Sequence, residues 1–113
     1  MNLEVIAAEI QFFHRPFLKP LRLSSGTISE ITEARVLVTV RVDGKVASGR
    51  GAIYLSDLWA WREGDLTHEE RDLALRGVCR TIAADLPALS ADNPGHPLEL
   101  SLKLHDYAAQ VNI

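Results

Sequence analysis

The side chains best suited to bind or react with a ligand are concentrated in two segments that we expect to be loops. The first runs from Leu18 to Thr27, with Lys19 beside two prolines. The second runs from about Tyr54 to Asp65 and is rich in tryptophan and leucine. It forms either a hydrophobic lid that excludes water from a reaction site or a small cluster packed on the domain's own helix. Loops of this length are usually functional or disordered, and the many large apolar residues argue against disorder.

No combination of residues in the sequence indicates a catalytic or metal site. Asp57 is a single carboxylate without a partner at useful spacing, so we interpret it as a turn or cap residue rather than a general base. Cys79 shares an apolar helix face, which indicates a buried structural thiol. Gly49-Arg50-Gly51 lacks the lysine and the helix start of a phosphate-binding loop. The histidines are not spaced as zinc ligands, and we expect them to be structural or solvated: His14, His68, His96 and His105.

Composition narrows the functional class of the chain. Its 113 residues fit one domain, and 47% hydrophobic residues with a net charge of −3 are typical of a globular protein. No basic stripe indicates a nucleic-acid partner, and no apolar run approaches the ~20 residues that span a bilayer. Glu4 stands where a signal peptide would be positively charged, and Cys79 is the single cysteine. We therefore expect a cytoplasmic protein without nucleic-acid or membrane partners.

Three strands are expected to position the two loops. Leu3–Phe13 is the first, ended by Pro16 and Pro20, which lack the amide proton that a sheet needs. Ala34–Val42 alternates valines with other residues at period two and is the strongest strand signal. Asp43-Gly44 suits a two-residue hairpin turn, and Lys45–Ile53 returns as the third strand. The two glycines within that strand indicate a bulge or a close approach of backbone or ligand.

Helices are predicted in the second half of the chain. Thr67 and Glu70 have the spacing of a capping box, which indicates a helix start. Pro87 is expected to end this helix near Leu86, followed by a polar connector over residues 88–95. Residues 98–104 alternate as a strand would, yet Pro97 and the helix-forming composition favour a helix over Leu98–Ile113. One helix face carries Leu75, Val78, Cys79, Ile82 and Leu86.

The predicted fold is therefore α+β: a three-stranded antiparallel meander followed by a helical segment, in one domain spanning residues 1–113. This order resembles the N-terminal capping domain of the mandelate racemase/muconate lactonizing group of the enolase superfamily. The resemblance rests on an early strand leading to Pro16-Phe17-Leu18-Lys19-Pro20, the valine-rich strand with Asp43-Gly44, the pair Gly49-x-Gly51 before a long loop, and the helix after it. It extends from Leu3 to about Val111.

The resemblance implies a domain that sits over the mouth of a β/α barrel. In that family the barrel binds Mg²⁺ and abstracts a proton next to a carboxylate, in isomerases and lyases, while two loops of the capping domain select the substrate. By resemblance these loops are about Phe17–Ser29 and Ala52–Trp61, and Lys19 points towards a bound carboxylate or closes the loop. The substrate-specificity residues implied in this way are Lys19, Arg22, Ser24, Tyr54, Asp57 and Trp59.

The sequence departs from the family because no strand-helix alternation that could build a barrel follows the helices. We therefore expect no catalytic, metal or cofactor residue in this chain, inactivity in isolation, and a barrel domain as its partner. Whether the chain is a fragment, a truncation or a separate domain stays open. The alternative is a free-standing module that self-associates through its sheet and aromatic loop, since uncovered strand edges favour pairing. A small independent hydrolase is the weakest alternative, because no catalytic constellation is visible.

Overall fold

The computed structural model describes residues 2–23, 26–57, 66–92 and 95–111. Three strands precede two helices, as the sequence predicts. In chain order the elements are β1 (Leu3–Leu23), β2 (Gly26–Val42), β3 (Lys45–Leu55), α1 (His68–Asp92) and α2 (Pro97–Ala108).

The strands form an antiparallel meander in the order β1-β2-β3. Asp43 and Gly44 connect β2 to β3 with φ angles of 51° and 80°. Two consecutive left-handed residues define the type I′ turn, whose twist matches that of the flanking strands. The predicted hairpin and the α+β class are therefore confirmed.

The first two strands are longer than predicted. β1 does not end before Pro16 but continues to Leu23, and β2 begins at Gly26 rather than Ala34. Pro16 still pairs with Glu30, and the β1–β2 register shifts directly after it, which leaves residues 17–20, including Pro20, outside the ladder. The predicted loop over residues 18–27 is thus largely the end of a hairpin. We call residues 16–23 and 26–31 the arm.

The third strand also differs from expectation at two points. Tyr54 and Leu55 belong to β3 rather than to a loop. The bulge suggested by Gly49 and Gly51 is absent, since the β2–β3 register is continuous from Val42–Lys45 to Thr32–Leu55. Because β3 ends opposite Thr32, the arm continues beyond it as two strands only.

Helix α1 begins as predicted but ends later. The Glu70 N–H donates to Thr67 Oγ1 at 3.2 Å and the Thr67 N–H donates to Glu70 Oε1 at 3.4 Å, which is the reciprocal geometry of a capping box. The prediction that Pro87 ends this helix is wrong, and the connector is correspondingly shorter, since α1 continues to Asp92. Ser90 holds the last turns on the sheet by accepting a hydrogen bond from the Val5 N–H at 2.8 Å.

The ambiguous C-terminal segment is a helix. Pro97 occupies the first turn of α2, where a missing N–H costs nothing, and His96 Nδ1 caps the helix by accepting from the Leu98 N–H at 3.2 Å. Neither described helix combines the length and apolar character that crossing a membrane demands.

Helix α1 lies mainly over β1, so the core is small and off-centre. Among described residues the buried apolar side chains are Val5, Ile28, Ala34, Leu55, Ala83 and Leu100. Strand β3 is exposed along its length except at Leu55. Among the described residues, the helices therefore cover the sheet mainly at β1 and leave most of β3 exposed.

Candidate functional site

Charged side chains meet where the arm joins the rest of the domain. Strand β1 contributes His14, β2 contributes Glu30, the segment after β3 contributes Asp57, and the first turns of α1 contribute His68 and Arg71. We call these five residues the junction cluster. A cleft of about 310 Å³ opens beside them between β2 and α1.

Asp57 is the buried centre of the junction cluster, with 1% of its surface exposed. The Arg71 Nε–H donates to Asp57 Oδ2 at 2.9 Å, and His68 Nδ1 lies 3.0 Å from the same oxygen. His68 and Arg71 reach one carboxylate together because residues three apart lie on the same helix face. Arg71 also donates to the carbonyl oxygen of Leu66, which fixes the guanidinium. The buried carboxylate is therefore compensated by a fixed cation and an imidazole.

The cluster continues from Asp57 towards solvent as alternating imidazoles and carboxylates. His68 Nε2 lies 3.5 Å from Glu30 Oε1, and Glu30 Oε2 lies 2.6 Å from His14 Nε2. The hydrogen bond with His14, aided by the charges of both histidines, lowers the pKa of Glu30. When both ring nitrogens carry protons, His68 bridges the two carboxylates. The arrangement holds the arm base against α1.

A second polar layer lies deeper along α1. Arg76 donates to Asp72 Oδ2 and to Thr32 Oγ1, both at 2.8 Å, and so joins the helix to β2. The guanidiniums of Arg76 and Arg80 lie 5.3 and 4.9 Å from the centre of the Phe12 ring. These contacts place cations over an aromatic face. The other oxygen of Asp72 is buried without a hydrogen-bond partner among the described residues.

The sheet face away from α1 carries a different set of charges. Phe13, Glu33 and Tyr54 are aligned across the three strands, and Arg35 lies in the next row. The Arg35 guanidinium is 4.5 Å from the centre of the Phe13 ring and donates to Glu33 Oε1 at 3.2 Å. Hydrogen bonds from Arg35 and then Arg15 lower the pKa of Glu33. A shallow cleft of about 560 Å³ lies on this open face between Glu9 and Arg50.

The specificity residues implied by the family resemblance do not all lie in one site. Lys19 and Arg22 lie exposed on the arm, Tyr54 is exposed on β3, and Asp57 is buried in the junction cluster. Ser24, Trp59 and Trp61 lie outside the described residues. The register nevertheless brings the two segments to the same end of the sheet, because Leu55 pairs with Thr32 at the arm base.

Sequence reasoning missed the partners of Asp57. It expected a turn or cap residue, whereas the carboxylate is the anchor of an ion pair with Arg71, 14 residues further along. His14 and His68 were expected to be structural or solvated, and both belong to the same cluster. A usable signal was the pair His68 and Arg71 on one face of a capped helix, 11 and 14 residues after an Asp57 without a partner nearby in sequence.

No three histidine, cysteine or carboxylate side chains within residues 2–23, 26–57, 66–92 and 95–111 are arranged to hold a metal ion. The thiol of Cys79 is half-buried, and burial raises its pKa above the usual range. No protein-family model matches the chain, and no curated protein or solved structure gives a significant match.

Proposed function

We propose that this chain is a capping domain of the mandelate racemase/muconate lactonizing kind, which closes over a β/α barrel domain and selects a carboxylate substrate. The observation that carries the proposal is the position of the two implied specificity segments. The arm and the end of β3 reach the same end of the sheet, where both can cover one site.

The surface of the arm supports a covering role. Leu18 is fully exposed and Leu21 is about half-exposed, although both are large and apolar. Exposed apolar side chains grouped in this way are typical of a surface that contacts another protein or a ligand. Lys19 stands between them with a positive charge that suits a carboxylate.

The junction cluster at the base of the arm also supports a covering role. The arm extends beyond the last β3 pair, where no third strand within the described part of the chain adjoins it, so contacts at its base determine its direction. Glu30 on the arm connects to Asp57 through His68, and this fixes the arm relative to both α1 and the end of β3. In this proposal the cluster positions the cover, and the barrel partner performs the proton transfer with its own Mg²⁺.

The proposal is tested with the isolated chain and a barrel domain of this enzyme group expressed without its own capping domain. Exchange of the α-proton of candidate carboxylates for deuterium is followed by NMR with Mg²⁺ present. We expect exchange only in the mixture, together with a complex detected by light scattering. Leu18→Asp should abolish both, whereas Lys103→Ala on the exposed side of α2 should abolish neither.

Two further measurements can contradict the proposal. Calorimetric titration of the chain alone with Mg²⁺ should show no tight site, and a stoichiometric, tight one would refute a purely covering role. The coding sequence that follows Ile113 should continue into alternating strand and helix units of a barrel, or a separate barrel gene should lie beside it. If the following coding sequence does not encode barrel units and no adjacent gene encodes a barrel, the capping function is contradicted.

A further inference from the structure

Strand β3 is an outer strand of the sheet, and no segment within residues 2–23, 26–57, 66–92 and 95–111 pairs with its outer edge. Ten of its eleven residues are exposed, including Ile53 at 66% and Tyr54 at 58%. Helix α1 packs mainly on β1, which is the strand at the other edge of the sheet. A strand edge left open in this way presents unpaired backbone donors and acceptors.

The hairpin turn determines which backbone groups of β3 point outward. In a two-residue hairpin the residues flanking the turn, here Val42 and Lys45, form a hydrogen-bonded pair. Hydrogen-bonded and non-hydrogen-bonded pairs then alternate along the ladder. The outward N–H and C=O groups therefore belong to Val46, Ser48, Arg50, Ala52 and Tyr54.

The opposite edge of the sheet is protected, whereas β3 is not. Strand β1 contains Pro16 and Pro20, its register is interrupted twice, and its Val5 N–H is bound by Ser90. These features are the usual means by which proteins prevent edge-to-edge pairing. Strand β3 contains no proline and no register shift along its eleven residues. The asymmetry points to β3 as the edge that accepts another strand.

We propose that β3 pairs antiparallel with β3 of a second copy of this chain, with Gly51 on the two-fold axis. The small residues 47–49 and the large residues 53–55 lie at equal distances on either side of Gly51, so these two stretches are complementary when the strand is reversed. About this axis Ile53 faces Gly49 of the second copy, and Leu55 faces Ala47. A two-fold interface uses the same surface patch from each subunit, which this edge provides.

Charge favours the register centred on Gly51 over the neighbouring register centred on Arg50. An axis through Arg50 would place two arginines directly opposite each other, which is destabilising. With the axis at Gly51, each Arg50 faces Ala52 of the second copy, and the two arginines are only diagonal neighbours. Tyr54 of the second copy then faces Ser48 and lies diagonally from Arg50, within reach for a cation–π contact. The hydrogen-bonded pairs are Ser48 with Tyr54 and Arg50 with Ala52, each formed twice.

Cysteine cross-linking tests the register in a Cys79→Ser background. Across a non-hydrogen-bonded antiparallel pair the Cα atoms lie about 4.5 Å apart, within the range of a disulfide. Gly51→Cys should therefore cross-link under mild oxidation. Gly49→Cys is the matched control. In the proposed register, residue 49 of one copy lies four residues along the strand from residue 49 of the other, so the two cysteines would be roughly 13 Å apart. Both positions accept a side chain, since a Cβ at Gly51 meets Val36 Cγ1 at 3.7 Å and one at Gly49 meets nothing within 4 Å.

The expected result is a covalent dimer for Gly51→Cys and a monomer for Gly49→Cys. Preferential cross-linking of Gly49→Cys, or of neither variant, overturns the proposal. Sedimentation equilibrium of the unmodified chain gives an independent measure. We expect reversible dimers as concentration rises into the micromolar to millimolar range, and a monomer at the highest concentration contradicts the pairing.

Charge variants at Ala52 separate this pairing from other forms of association. Ala52→Lys places a like charge opposite Arg50 of the second copy twice, and should raise the dimer dissociation constant about tenfold. Ala52→Glu places an opposite charge there and should not raise it. The double variant Arg50→Glu, Ala52→Lys should restore dimerisation. Equal weakening by lysine and glutamate at Ala52 would rule out this register, and circular dichroism checks that each variant is folded.

Discussion

Replacing Asp57 by alanine should destabilise the domain strongly, because it removes the centre of the junction cluster. The Asp57 side chain is 2% exposed and lies 2.9 Å from Arg71 Nε and 3.0 Å from His68 Nδ1. Breaking a fully buried ion pair costs about 3–5 kcal/mol, since the remaining charge is left without compensation. The Arg71 and His68 side chains are 15% and 35% exposed, so water can partly hydrate them. We therefore expect a loss of about 2–3 kcal/mol in the free energy of unfolding.

Urea denaturation at pH 7 measures this loss. With a denaturant dependence of about 1–3 kcal/mol per molar, the midpoint should fall by roughly 0.7–3 M. Glu4→Ala is the matched control, because its partner Arg41 lies 3.4 Å away and both side chains are about half-exposed. Such a surface pair contributes about 0–1 kcal/mol. If Asp57→Ala and Glu4→Ala lower the midpoint equally, the junction cluster does not stabilise the fold and cannot position the arm.

Three further predictions concern other elements. Ser90→Ala leaves a buried N–H on β1 without its acceptor and should lower stability by about 1–3 kcal/mol in thermal denaturation, whereas Ser101→Ala on exposed α2 should change little. Arg35 and Arg15 lower the pKa of Glu33, so its contribution to stability is fully present above the unfolded glutamate pKa and is lost as pH falls through the lower folded pKa. The stability difference between the wild type and Glu33→Gln should therefore shrink as pH is lowered below the unfolded glutamate pKa, and a constant difference would contradict this. Burial raises the pKa of Cys79, so its reaction with a thiol reagent at pH 8 should be slower than that of a peptide cysteine, and equal rates would show an accessible thiolate.

The family resemblance and the fold have different support. The α+β order of a three-stranded meander followed by helices is present in the structure. The capping function stays a proposal that rests on the position of the arm beside the end of β3 and on the exposed Leu18. The inferred β3 pairing is independent of it, because a domain can cover a partner at one end of its sheet and dimerise along one edge.

Local rules succeeded where the interacting residues are neighbours in sequence and failed where distant contacts compete. Pro16 and Pro20 were expected to end the first strand, yet pairing with β2 resumes at Leu21 beyond the register shift and carries β1 onward. Pro87 was expected to end α1, yet the bond between Ser90 and Val5 holds the following turn in place. In both cases the gain from tertiary pairing exceeds the loss of one backbone hydrogen bond.

The hairpin at Asp43 and the start of α1 at Thr67 are predictable from local residues, because each depends on interactions within four residues. The grouping of His14, Glu30 and Asp57 in one cluster depends on the folded arrangement of the elements. These residues lie on separate elements, and the strand register together with the docking of α1 brings them within hydrogen-bonding distance of a common histidine or of one another. Spacing could place His68 and Arg71 on one helix face, but it could not show which carboxylates they meet, since the position of one element against another is set by packing rather than by neighbouring residues.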